Sequence, residues 1–233
     1  MQPQPTILAI ETSTDACSVA LSYAGQSFSK IAVEPQAHAK LLLGMVDTVL
    51  QQAGIKLQTV DAFAYGQGPG SFTGLRIAAS VVQGLAFGVG KPLLAVSSLQ
   101  ALAQQAFNQV GALHSLAVLD ARMQEVYWGA YRANQQGIVE VVIADQLQKP
   151  ATLVLPEHDK YLAVGTGAQA YTLPLSHNNP GLTFNTQILY PRAAEVLQLA
   201  LAQYAGGNLL TSSQAIPVYL RDNVVQTGKK NPD

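Results

Sequence analysis

The sequence has 233 residues, of which 48% are hydrophobic and only 12% charged, and its net charge is −1. Because disordered chains are rich in charge and poor in aliphatic residues, this composition excludes an intrinsically disordered protein. A pI of about 6.4 disfavours unaided binding of nucleic acid, since domains of that kind carry a basic surface.

Several kinds of stabilising or targeting element are also missing from the sequence. The single cysteine, Cys17, cannot form an internal disulfide, and the N-terminus lacks the basic start of a signal peptide. The longest weakly polar stretch, 77–90, is shorter than the ~20 residues that a membrane helix needs. We therefore predict a soluble, cytoplasmic protein without a membrane span.

The first half of the chain reads as a meander of strands followed by alternating helices and strands. Short glycine-containing turns between the first three strands make them antiparallel. Apolar residues at helical spacing then predict helices. The predicted order is strands 6–13, 16–23 and 27–34, helix 37–53, strand 62–65, helix 72–89, strand 93–96 and helix 98–108.

The second half begins with the same pattern. A strand at 115–119 ends in Asp120, as the first strand ends in Glu11, and strands at 125–133 and 139–144 follow. This predicts a duplicated α/β fold with one lobe at 1–110 and a degenerate second lobe at 111–233. Two unrelated meanders are the alternative, because hairpins are common. Beyond residue 149 only a short strand at 162–165 and a helix at 192–204 are predicted.

A glycine-rich turn at 66–70 joins a strand to a helix and is the sharpest local signal. Such turns place backbone N–H groups around phosphates, so Gly68 and Gly70, with the strand-end acids Glu11 and Asp120, are candidates for a cofactor site in a cleft. The segment is neither a Walker A loop nor a GxGxxG motif. The alternative is structural, in which the glycines form a tight turn and Ser71 or Thr73 caps the helix.

The histidines do not indicate a metal site. None of them is spaced i, i+4 from another, and no HExxH motif is present. We therefore predict no metal in this chain. The four positions are His38, His114, His158 and His177.

The helix predicted at 72–89 is apolar on nearly all sides, which indicates burial on more than one face. Ser80, Gly84 and Gly88 form a stripe of small residues that lets another helix approach closely. We therefore predict a protein–protein interface on this helix and on the helix at 37–53. Its residues are Leu42, Met45, Val46, Val49, Arg76, Ser80, Gln83, Gly84, Phe87 and Gly88.

Several blocks of the sequence resemble the TsaB (YeaZ) family. They are ILAIETSTDACSVAL, GPGSFTGLRIA, SSLQALA, LDARMQEVYWGAY and VYLRDN, and they are densest in the first 135 residues. The resemblance implies two RNase-H-like lobes of the actin-like (ASKHA) superfamily, each a mixed sheet of five strands with flanking helices. It also implies a role in tRNA modification.

In that role the family partners TsaD, and the small ATPase TsaE joins the complex. The complex transfers a threonylcarbamoyl group from threonylcarbamoyl-AMP to N6 of the adenosine 3′ of the anticodon, in tRNAs that read ANN codons. The resemblance implies a homodimer, and a TsaD heterodimer through the same N-terminal helices. Metal and ATP are expected in the partner subunits, and tRNA is expected to bind only through the complex.

The chain departs from its catalytic paralogue at the metal site. Aligning the HMEGH motif of TsaD with residues 98–102 places Ser98 and Leu102 where the two histidines stand. Neither side chain can replace a neutral imidazole at a catalytic metal. The resemblance therefore implies a non-catalytic scaffold that activates TsaD. The alternative is an autonomous ATP-using enzyme of the actin-like superfamily, with Glu11, Gly68, Gly70 and Asp120 lining its cleft.

Overall fold

The first lobe is built on a mixed sheet of five strands. The computed structural model describes residues 4–156 and 160–221. Strand β1 pairs antiparallel with β2 and parallel with β4, so the order across the sheet is β3-β2-β1-β4-β5. The strands are β1 Ile7–Glu11, β2 Ala16–Tyr23, β3 Gln26–Val33, β4 Ala62–Gly68 and β5 Leu93–Ser97.

The second lobe repeats this arrangement. Its order is β10-β9-β6-β7-β8, with β6 antiparallel to β7 and parallel to β9. The two sheets thus share one topology, which confirms the predicted duplicated, RNase-H-like and actin-like fold. The strands are β6 His114–Asp120, β7 Val126–Ala133, β8 Val139–Gln148, β9 Leu162–Val164 and β10 Thr183–Asn185.

Helices flank both sheets. The two helices that carry the predicted interface lie within one residue of their expected bounds, since their apolar periodicity is strong. The short helices α4 and α5 and the strand β10 were not predicted, because segments of three to seven residues hold too little pattern. The helices are α1 His38–Ala53, α2 Phe72–Val89, α3 Ser98–Val110, α4 Thr166–Ala170, α5 Thr172–Asn178 and α6 Ala193–Ala205.

The interior is continuous across the proposed lobe boundary at residues 110 and 111. One core cluster joins residues of the first sheet, such as Ile7, to residues of the second, such as Leu119. Gln104 of α3 is buried, donates to the Gly137 carbonyl over 2.8 Å and accepts from Val139 N over 3.0 Å. The two lobes are therefore packed into one body.

Helix α2 meets the length and hydropathy of a membrane span, unlike any other helix in the described residues. It is, however, the crossover between the neighbouring parallel strands β4 and β5. Six of its residues, including Leu75 and Val82, are buried in the first lobe. A helix held in that position by both of its ends covers a sheet, which explains the apolar character of its buried face.

Candidate functional site

A cleft of about 880 Å³ opens between the two lobes. The first lobe contributes the turn around Ser13 and Gly70, and the second contributes Asp120 and Thr166. Residues 218–221 lie along its edge. Of the four predicted cleft residues, the structure places Gly70 and Asp120 on the wall of this cleft.

The glycine-rich turn is shaped by close packing against the β1–β2 turn. A side chain on Gly70 would lie 2.4 Å from the Ser13 carbonyl oxygen. The Ser71 hydroxyl accepts the Gly74 N–H over 3.3 Å and caps α2, and Ser71 N donates to the Ser13 carbonyl over 2.7 Å. These contacts favour the structural interpretation of the motif, in which the glycines form a tight turn and Ser71 caps the helix.

Glu11 does not face the cleft, so that prediction is wrong. Its carboxylate is fully buried, accepts the Ser13 N–H over 2.6 Å and the Ser98 hydroxyl over 2.8 Å. Burial raises the pKa of Glu11, although these hydrogen bonds act in the opposite direction. A Cβ on Gly66 would lie 1.9 Å from a Glu11 oxygen, so any larger residue there would have to displace the buried carboxylate. The strand pattern marked Glu11 as a strand end but could not show which groups enclose it.

Gly68 is a second correction, since it does not line the cleft either. A side chain there would meet the Val218 carbonyl oxygen at 2.9 Å and Leu75 at 2.9 Å. The backbone N–H of Val218 donates to the Gln67 carbonyl over 2.8 Å, so the chain near its C-terminal end covers this turn. The spacing of the glycines could not predict that residues near Val218 pack over this turn.

The positions that align with the paralogue's histidines are in the interior. Ser98 is bound to Glu11, and Leu102 belongs to the core cluster shared by both lobes. His38 hydrogen-bonds to the Thr14 carbonyl over 2.8 Å. Within residues 4–156 and 160–221, no group of three His, Cys, Asp or Glu side chains is placed to hold a metal; His158 lies outside this part of the chain.

A polar cluster between the lobes was missed by sequence reasoning. Ser97, which caps α3, donates to Asp145 over 2.5 Å, and the Tyr131 hydroxyl also donates to that carboxylate. Burial raises the pKa of Asp145, and burial with the nearby carboxylate raises that of Tyr131. The three residues come from distant parts of the chain, and no motif links them.

The proposed interface on α1 needs a further correction. Leu42, Met45, Val46 and Val49 are buried, because they form the stripe of α1 that packs on the first sheet. Their side chains therefore offer a partner almost no surface. Helical periodicity correctly identified an apolar face but not which surface covers it. The exposed side of α1 is instead formed by residues such as Leu43, Gly44 and Asp47.

On α2 the structure exposes most of the predicted face. Arg76, Ser80, Gly84, Phe87 and Gly88 are exposed, and Cβ atoms added at both glycines would meet nothing within 4 Å. Gln83 is half-buried, and its amide donates to the Ala215 carbonyl over 3.0 Å. A groove of about 430 Å³ runs between the two helices. We call this surface the α1/α2 face.

Comparison with known proteins identifies the family. The TsaB protein of Escherichia coli is 39% identical over 94% of this chain and 95% of its own length. That of Haemophilus influenzae is 37% identical over 97% of each. Both are named "tRNA threonylcarbamoyladenosine biosynthesis protein TsaB". This chain belongs to the TsaB family.

A solved structure and a family model agree with this assignment. The solved structure of "YeaZ from Pseudomonas aeruginosa" is 43% identical, has a TM-score of 0.87, and covers 93% of this chain and 100% of that one. A family model described as "TsaD: tRNA N6-adenosine threonylcarbamoyltransferase" matches residues 32–229. The TsaB family is thus related in sequence to a transferase family along most of the chain.

Proposed function

We propose that this TsaB-family chain is the non-catalytic scaffold subunit that activates a TsaD partner. The reaction is the transfer of threonylcarbamoyl from threonylcarbamoyl-AMP to N6 of the adenosine 3′ of the anticodon in tRNAs that read ANN codons. The observation that carries this proposal is the α1/α2 face, which exposes apolar side chains and small residues that residues 4–156 and 160–221 leave uncovered.

Contacts within the part of the chain that the structure describes do not explain the glycines of this face. Gly44, Gly84 and Gly88 lie inside helices, and open space surrounds each of them. Glycine inside a helix is less favourable than alanine by about 1 kcal/mol. A helix of another molecule that packs closely against these positions supplies a reason for the absence of a side chain.

Exposed apolar residues beside the glycines support the same proposal. Phe87 is 80% exposed and Leu43 is 54% exposed. Phe72 also borders the groove. Aromatic and aliphatic residues in such positions are typical of contacts between proteins. We infer that this face binds both a second copy of the chain and TsaD, so that homodimer and heterodimer compete for it.

We infer that this chain has no catalytic role, because the residues at the expected metal and cleft positions cannot supply one. The paralogue's metal ligands are replaced by the buried Ser98 and Leu102, and the buried Glu11 cannot reach a ligand in the cleft. We therefore assign metal and ATP to the partner subunits, with TsaE as the third member of a cytoplasmic complex. The net charge of −1 favours tRNA binding through the complex.

The cleft keeps a second candidate function open, an autonomous ATP-using enzyme. Its volume of about 880 Å³ would accommodate a nucleotide, and Gly70 and Asp120 lie on its wall. Against this candidate, two of its four proposed residues, Glu11 and Gly68, are not on the cleft wall. Since only two of the four expected residues line the cleft, the scaffold is the better supported function.

Reconstitution separates the two candidates. Unmodified tRNA, threonylcarbamoyl-AMP and ATP are incubated with this chain alone, with the organism's TsaD and TsaE alone, and with all three. We expect modified adenosine only with all three, and no ATP hydrolysis by the chain alone. Modification or steady ATP hydrolysis by the purified chain alone would overturn the scaffold proposal.

A further inference from the structure

The last described segment of the chain, residues 210–221, is a strap fixed along the first lobe. Leu210 exchanges two backbone hydrogen bonds of 2.8 Å with Leu93 on strand β5. Farther along, Ala215 is buried in the core, and Val218 N donates to the Gln67 carbonyl. Its backbone is therefore anchored to the first lobe from β5 to the glycine-rich turn.

The end of the strap reaches across to the second lobe through one side chain. Arg221 donates to the Ala121 carbonyl over 3.0 Å and pairs with Glu125 over 2.7 Å. Its other terminal nitrogen lies 2.9 Å from the sulfur of Met123. All three contacts fall on the short loop 121–125 between β6 and β7. One guanidinium thus contacts three of the five residues of the loop.

That loop has an unfavourable backbone. Arg122, Met123 and Gln124 have φ angles of 64°, 55° and 61°, three successive left-handed residues without a glycine. In this region the Cβ atom crowds the following carbonyl, so such residues are rare. The equivalent turn of the first lobe, residues 12–15, contains no positive φ angle. That turn is one residue shorter, so the left-handed run is specific to the loop of the second lobe.

The strap also connects this loop to the α1/α2 face. The Tyr219 ring lies 5.2 Å from that of Phe72, and its hydroxyl accepts from Arg76 Nε over 3.1 Å. Phe72 and Arg76 line the groove between α1 and α2 and also the cleft between the lobes. Tyr219 and Arg221 are two residues apart in the strap, so the strap joins the groove to the loop.

We propose that Arg221 is a latch that holds loop 121–125 in its strained conformation at the edge of the cleft, and that the Arg76–Tyr219 contact links the latch to the α1/α2 face. When the latch is released, the loop relaxes towards negative φ angles and the edge of the cleft changes shape. The latch itself is independent of the proposed function. The further inference that a partner docked on the α1/α2 face releases or holds the latch rests on the proposed function.

Amide hydrogen exchange on the full chain tests the latch without any partner. Ala121 N and Glu125 N donate to backbone carbonyls within the loop, and Arg122 N donates to Asp120 over 2.9 Å. In Arg221→Gln we expect these amides to exchange about tenfold faster or more, because the strained conformation is no longer held. Arg132→Gln, an exposed arginine on β7, is the matched control and should leave them unchanged.

Two further variants test the strain and the link. Adding Gln124→Gly to Arg221→Gln should restore slow exchange in part, since glycine adopts a positive φ readily. Arg76→Gln should also speed exchange in loop 121–125, since it removes the hydrogen bond to Tyr219. Unchanged loop exchange in Arg221→Gln would overturn the latch. Unchanged loop exchange in Arg76→Gln would overturn the link while leaving the docking proposal to its own test.

Discussion

At the scale of single residues, the buried carboxyl groups determine how stability depends on pH. Burial raises the pKa of Glu11 in the folded chain above its ordinary value. The folded state therefore binds this proton more tightly than the unfolded state does. The contribution of Glu11 to stability is present below its ordinary pKa and is lost as the pH rises through the raised value.

Replacing Glu11 with its neutral isostere should remove that dependence. In Glu11→Gln, the side-chain oxygen can still accept from Ser13, and the amide can donate to a reoriented Ser98 hydroxyl. We expect the variant to gain stability relative to the native chain as the pH rises from 4 towards 8. Melting temperatures across that range provide the measurement. A constant difference at every pH would contradict the raised pKa.

Substitution of Gly66, which lies against this carboxyl group, should destabilise the folded chain. A methyl group on Gly66 would overlap the Glu11 carboxylate, so Gly66→Ala should lower the free energy of unfolding by about 1–3 kcal/mol. Gly44→Ala, which adds the same methyl group in open space within a helix, should raise it by about 1 kcal/mol. Chemical denaturation measures both. Equal effects of the two would contradict the packing described.

At the scale of elements, two adjacent leucines on α1 have different roles. Leu42 is 1% exposed and packs in the core, whereas Leu43 is 54% exposed on the α1/α2 face. Leu42→Ala should destabilise the chain by about 2–5 kcal/mol, since it leaves a cavity. Leu43→Ala should leave stability within about 0.5 kcal/mol and weaken binding to TsaD about tenfold.

Denaturation and partner-binding titrations on the same two variants provide the readouts. If Leu43→Ala bound TsaD normally, that part of α1 would lie outside the contact. If Leu42→Ala were fully stable, the assignment of Leu42 to the core would be wrong.

The sequence could predict the elements that carry a strong periodic pattern, and the positions of α1 and α2 follow from it. It could not predict α4, α5 or β10, because their few residues are held by neighbours distant in the chain. It also placed Leu42 and Met45 on a partner surface and Glu11 in the cleft. A period identifies an apolar side or a strand end, whereas the group that covers it is decided by tertiary packing.

At the scale of the whole molecule, the shared interior should make the two lobes unfold together. The core cluster spans both sheets, and Ala193 N at the start of α6 donates to Ser18 of the first lobe over 2.9 Å. The only tryptophan, Trp128, is buried in the second lobe and reports on that lobe alone. Its fluorescence and the far-ultraviolet circular dichroism should give one coincident melting transition. Two separate transitions would contradict a single cooperative body.

We propose that the chain works by docking through the α1/α2 face. The most direct measurement is the affinity of the organism's TsaD for the native chain, for Gly84→Arg and for Gly181→Arg. Both glycines are exposed with open space around them, but Gly181 lies on the second lobe, away from the α1/α2 face. An arginine buried without a partner in an interface is strongly unfavourable.

We expect Gly84→Arg to weaken TsaD binding by about a hundredfold or more, with an unchanged melting temperature, because the new side chain meets only the partner. Gly181→Arg should bind as the native chain does. Native affinity in Gly84→Arg would contradict docking through this face. A collapse of its melting temperature would contradict the exposed position of Gly84.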